Sequence, residues 1–68
     1  IKNKKVLDIG CNDGSLLKIF RENGAKVFGI EPTDAANEAM KVTKNVFQDY
    51  LSVDLANHIV SNYEKGWN

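Results

Sequence analysis

The chain is poor in the residues that staple or break small folds. It has one cysteine and one proline in 68 residues. A single cysteine cannot close an internal disulfide, which excludes a disulfide-framed mini-protein, and it leaves a four-ligand zinc module without its thiolates. Charge of one sign is also lacking: 9 Lys and Arg balance 9 Asp and Glu. A neutral chain carries no electrostatic footprint for nucleic acid or for an anionic membrane surface. Its apolar runs are short, so no segment is expected to span a membrane. It shows no basic-then-apolar leader, and the expectation is a cytoplasmic protein. What remains is 43% hydrophobic and 26% charged residues, a globular balance. A domain of about 60 residues buries only about 60% of its unfolded surface. The chain opens on Ile1 rather than Met, and residues 1–68 are expected to be a portion of a longer protein.

Two periodicities alternate along the chain. Lys5 to Ile9 is a short apolar run that ends in a glycine-containing turn, Gly10-Cys11-Asn12-Asp13-Gly14. It reads as a buried parallel strand. From Ser15 to Asn23, Leu16, Ile19 and Phe20 fall at i, i+3, i+4, with Leu17 beside them, which predicts one apolar helix face. Asp13 or Ser15 is placed to cap this helix and Gly24 to stop it. Lys26 to Ile30 reads as a second strand, ended by Pro32. Thr33 to Lys41, rich in Ala and Glu, predicts a short helix with a Thr33 or Asp34 cap. Asn45 to Phe47 is a weak third strand. Ser52 is placed to cap a last helix carrying Leu55, Ile59 and Tyr63 four apart, with Gly66 as its stop.

Alternation of strand and helix with short connections forces right-handed crossovers and a parallel sheet. The expected fold is half of a doubly wound, Rossmann-like three-layer α/β/α domain with strand order 3-2-1. A fourth strand would continue beside the first, so its outer edge is expected to be open and able to template self-association.

Ligands in this architecture sit at the carboxyl ends of the strands. Gly10 lies where the first strand leaves the sheet and Gly14 where the first helix begins. A dinucleotide site requires glycine at three positions, G-x-G-x-x-G. Aligned on Gly10, the second and third hold Asn12 and Ser15. Asp8 and Asp13 make the mouth acidic, which suits a ligand bearing a sulfonium and an amino-acid group better than a pyrophosphate. Glu31 follows the second strand, 21 residues beyond Gly10. An acid about 20 residues after the turn is placed to accept hydrogen bonds from ribose hydroxyls.

Val6-Leu7-Asp8-Ile9-Gly10-Cys11-Asn12-Asp13-Gly14 resembles the first motif of class I S-adenosylmethionine-dependent methyltransferases, and Gly29-Ile30-Glu31-Pro32 resembles their second. Asp13-Gly14-Ser15-Leu16-Leu17 looks most like the sugar C-methyltransferase branch, which shares Asn12 in place of the middle glycine. The resemblance spans the chain but only the cofactor half of the family's domain. It implies that Gly10, Cys11, Asn12 and Gly14 line the cofactor, with Asp8 near its amino group. Glu31 would hold the ribose and Pro32 pack near the adenine. Gln48 or Asp49 falls where the class often places an adenine contact. The implied reaction is methyl transfer to a small-molecule acceptor, such as a sugar carbon. Catalytic residues and the acceptor pocket would lie beyond Asn68.

Plainer readings stand beside these. Gly10 and Gly14 can be turn glycines, Asp8 a cap for turn amides, and Gln48 and Asp49 a loop leading into a helix. Cys11 has no His or Lys near it in sequence to activate a thiolate. His58 reads as a surface residue. Two rival classes are a nucleotide-linked oxidoreductase half-domain and a non-catalytic module that keeps a degenerate site. No metal site is expected.

Overall fold

A computed structural model describes residues 2–62. Three strands and three helices alternate: β1 (Lys5–Ile9), α1 (Ser15–Glu22), β2 (Lys26–Ile30), α2 (Ala36–Ala39), β3 (Val46–Phe47) and α3 (Val53–Asn62). The sheet order is β1-β2-β3, and both pairings are parallel. Lys5 stands beside Lys26 and Ile9 beside Ile30. Gly29 and Ile30 stand beside Val46 and Phe47. Parallel register brings the turns that follow all three strands to one end of the sheet, as in every open α/β sheet.

β2 is the centre of the core. Val27, Phe28, Gly29 and Ile30 are all buried. β1, expected to be a buried strand, is only half-buried along its length, and its last residue, Ile9, is 56% exposed. The reason is position: β1 is at one end of the sheet order, whereas β2 has a strand on each side.

α1 meets the sheet through a different face from the one its periodicity predicts. Leu17 is fully buried, whereas Leu16 is 49% and Ile19 55% exposed. Phe20 is partly buried against the same core as Leu17. Gly29 explains the choice. A Cβ there would stand 2.6 Å from Cys11 Sγ and 2.9 Å from Leu17 Cδ1. The bare backbone of β2 is thus a socket shared by the turn cysteine and the helix leucine, and at interior packing density it admits no added carbon.

The helix ends follow elementary capping. α1 begins after Gly14, at φ 85°, with no side-chain cap at that residue. Asp13, one residue earlier, accepts from the Ser15 amide at 3.0 Å and the Ser15 hydroxyl at 2.7 Å. Its carboxylate therefore satisfies an amide that the helix leaves orphaned. Gly24 ends the helix at φ 94°, the left-handed geometry that favours glycine after a C-cap. Ser52 caps α3 as expected, its Oγ accepting from Leu55 N–H at 3.0 Å. α2 is much shorter than the predicted 33–41 span. Bonds from Ala36 to Thr33 O, Asn37 to Asp34 O and Glu38 to Ala35 O are of the i to i+3 kind, which tightens the segment into turns around four helical residues. Tyr63, Gly66 and Trp67 lie outside the described residues.

Candidate functional site

The carboxyl end of the sheet holds nearly every residue that the motifs single out. The turn after β1 is tightly constrained. Its φ is positive at every second residue: 77° at Gly10, 55° at Asn12 and 85° at Gly14. Asparagine is among the few non-glycine residues that visit this left-handed region routinely. That is why Asn12 can stand where the common pattern has a glycine.

Backbone bonds fasten this turn to the end of β2. Ile30 O accepts from Gly10 N–H at 2.7 Å and from Cys11 N–H at 3.0 Å. The next amide, Asn12 N–H, donates to Glu31 Oε1 at 2.8 Å. The other oxygen, Oε2, accepts from the Thr33 amide at 3.0 Å and the Thr33 hydroxyl at 2.7 Å. Turn, acid and start of the α2 segment are therefore one network. The Thr33 donors, then the Asn12 amide, hold the Glu31 carboxyl below its ordinary pKa of 4.5. The Asp13 carboxyl is likewise lowered by the Ser15 hydroxyl and amide. Partial burial instead raises Asp8.

The two turn glycines differ. Around Gly10 an added Cβ would meet nothing within 4 Å, so the side of the turn next to β1 is open. At Gly14 the Cβ would stand 2.9 Å from Ala39 Cα and 3.2 Å from Val42 Cγ2. The close approach at Gly14 is therefore to α2. Cys11 is buried. Burial raises its thiol pKa, and the Asp8 and Glu31 carboxylates add to the rise. This favours the unreactive protonated form, in line with a packing role.

The loop after β3 reaches the same end. Gln48 Nε2 donates to Asp34 Oδ1 at 3.3 Å, which ties it to the loop after β2. Asp49 turns back on its own backbone, its Oδ1 accepting from Tyr50 N–H at 2.7 Å. Pro32 is partly buried beside Glu31. His58 is exposed on α3, edge-on to Phe47 at 6.1 Å between ring centroids. From the sequence Thr33 and Asp34 are expected only as helix caps. The signal in the sequence was the spacing: a threonine two residues after the acid can donate both its amide and its hydroxyl to that carboxylate.

A parallel α/β sheet with a glycine-containing turn and an anchored acid at its carboxyl end is an architecture whose ligands bind at that end. The model of a methyltransferase-domain family matches residues 1–64, and the chain belongs to that family. It is also 43% identical over 54 residues to protein arginine N-methyltransferase 1 of Chlamydomonas reinhardtii. That match covers 76% of this chain and 16% of the relative, so the chain spans about a sixth of the relative's length. Among the described residues no helix is long and apolar enough to cross a membrane.

Proposed function

We propose that the chain is the cofactor-binding part of an S-adenosylmethionine-dependent methyltransferase, one half of a three-layer α/β/α domain. The observation that carries this reading is the Glu31 carboxylate, held by the Asn12 amide at 2.8 Å beside the open face of Gly10. A turn, an acid and a space between them are what a ribose-bearing ligand requires at this end of the sheet. The residues fit the cofactor's charge as well. Asp8, Asp13 and Glu31 face a ligand that carries a sulfonium and an ammonium, whereas a pyrophosphate would meet repulsion. Gly10, Cys11 and Asn12 line the ligand by backbone, and Glu31 takes the ribose. Pro32, Gln48 and Asp49 border the adenine, and Gly14 holds the turn against α2. When bound, the cofactor supplies an electrophilic methyl group, so this half of the domain has to position rather than activate.

The acceptor is a small molecule in this reading, and a sugar carbon is the form suggested by the Asn-Asp-Gly turn and Gly-Ile-Glu-Pro. A second reading, an arginine side chain of a protein, is favoured by the name of the Chlamydomonas relative. Calorimetry separates the cofactor class: S-adenosylhomocysteine should bind the protein and NAD should not. Tighter binding of NAD would replace the methyltransferase reading with the oxidoreductase one. Transfer of labelled methyl to sugar nucleotides or to arginine-rich peptides separates the acceptors.

A further inference from the structure

A cleft opens at the other end of the sheet, where α1 finishes and the chain enters β3. Its lining includes Arg21, Lys41, Val42, Thr43, Lys44 and Asn45. Three cations thus border one concavity, and Arg21, Lys41 and Lys44 are all exposed. Among the described residues, Lys41 alone of the three has an acidic partner, Glu38 at 2.8 Å. That pair is exposed, and such pairs contribute little. Arg21 is anchored by its own chain, because Nη1 donates to Val42 O. A guanidinium has five N–H donors, so most of the fork stays available. The wall behind it is held as well. Val42 packs against the core, and the Thr43 and Asn45 side chains both reach Val27 O at 3.4 Å. Carbonyls that would repel an anion are occupied. The Asn23 and Gly24 amides cover Ile19 O, Phe20 O and Arg21 O at the end of α1, and the Lys41, Val42 and Thr43 amides cover Glu38 O and Ala39 O. Donors held in place beforehand lose less freedom on binding.

We propose that this cleft binds a phosphate group, free or on a small phosphomonoester, with Arg21 and Lys44 as its main ligands and Lys41 at its border. A guanidinium fork matches two oxygens of a phosphate or of a carboxylate. A carboxylate is used up by that fork. A tetrahedral dianion keeps further oxygens and a second charge for the lysines, so the set of cations favours phosphate. The site stands at the end of the sheet opposite Glu31 and is independent of the cofactor reading.

The test is amide chemical-shift titration of the ¹⁵N-labelled protein, without cofactor, at constant ionic strength and above neutral pH, where phosphate is mostly a dianion. The titrants are inorganic phosphate, glycerol phosphate, acetate and a short DNA duplex. Inorganic phosphate should give saturable shifts at the Arg21 Nε–H and at the Thr43 and Lys44 amides. Tighter binding of glycerol phosphate would assign the site to an ester, and equal or weaker binding to free phosphate. Arg21→Gln and Lys44→Gln should each weaken phosphate about tenfold or more, the value of one charge-assisted hydrogen bond. Arg21→Lys keeps the charge but loses the fork, and should not restore the affinity. Lys2→Gln, outside the cleft, should change nothing. Acetate binding as tightly as phosphate, Lys2→Gln costing as much as Lys44→Gln, or shifts that never saturate would each overturn the proposal and leave only a diffuse positive field. Shifts at Lys2 and Lys4 with the duplex, and a cleft silent to phosphate, would overturn it in favour of a polyanion. Should Arg21→Gln fail to fold, the exposed Lys44 decides through Lys44→Gln.

Discussion

The two ends of the sheet are built from opposite materials. The carboxyl end gathers Asp8, Asp13, Glu31, Asp34 and Asp49, and its side chains bond to backbone amides of the turns. The amino end gathers Lys2, Lys4, Lys5, Lys26 and Lys44, with Lys5 and Lys26 paired in register. There Arg21 donates from Nη1 to Val42 O, and Asn45 and Thr43 reach Val27 O at 3.4 Å. Zero net charge therefore hides a polarised molecule. Composition alone speaks to the sum and not to how the charges are placed. The acids at the carboxyl end form an ordered network, and the lysines at the amino end surround the points where chain enters the strands.

The same substitution at matched glycines gives the largest contrast. Gly14 and Gly24 both have positive φ, but a Cβ at Gly14 would stand 2.9 Å from Ala39 Cα, whereas one at Gly24 would stand 3.2 Å from Lys2 Cγ and 3.3 Å from its Cα. Gly14→Ala combines left-handed strain of about 1–2 kcal/mol with overpacking of about 1–3 kcal/mol, roughly 2–5 kcal/mol in all. Gly24→Ala should cost about 1–2 kcal/mol, mostly left-handed strain, because its Cβ would come no closer than 3.2 Å to Lys2. Thermal melts read both. Equal losses would mean that the turn and α2 are not packed as described.

Next in size is the effect on ligand. Glu31→Ala should lower affinity for S-adenosylhomocysteine about ten- to a hundredfold, and Lys44→Ala at the opposite end should leave it unchanged. Comparable losses at both would erase the functional distinction between the ends.

Acid should loosen the carboxyl end first. The Glu31 carboxyl lies below its ordinary value of 4.5 in the folded chain. A depressed carboxylate contributes stability that is fully present above its unfolded pKa and lost as pH falls through the folded value. Melting temperature should therefore fall on acidification below about pH 4.5, and less steeply in Glu31→Gln, which has no charge to lose. Parallel pH curves for the two proteins would remove Glu31 from the network.

The smallest effect is chemical. Cys11, buried and with its pKa raised, should react with iodoacetamide at neutral pH far more slowly than the unfolded chain does. Reaction at the unfolded rate would show an exposed turn.

Much of this was legible in residue order alone. The positions of β1, β2 and α3, the Gly24 stop and the Ser52 cap follow from patterns that act within a few residues. The buried face of α1 did not. Leu16, Leu17, Ile19 and Phe20 offer two overlapping stripes, and the socket over Gly29, distant in sequence, selects Leu17. α2 is shorter than its Ala and Glu content predicts, because the chain must return to β3 within a few residues and turns replace most of the helix. At the site, Gly10, Asn12 and Glu31 were visible as a motif. The division of labour between Gly10 and Gly14 was not, since it depends on which glycine α2 packs against.

The most direct measurement is amide chemical-shift mapping of the ¹⁵N-labelled protein titrated with S-adenosylhomocysteine. The account predicts the largest shifts at Gly10, Asn12, Glu31, Thr33 and Gln48, with Asn3, Gly24 and Lys44 unmoved. Shifts centred on the amino end, or none at saturating ligand, would contradict it.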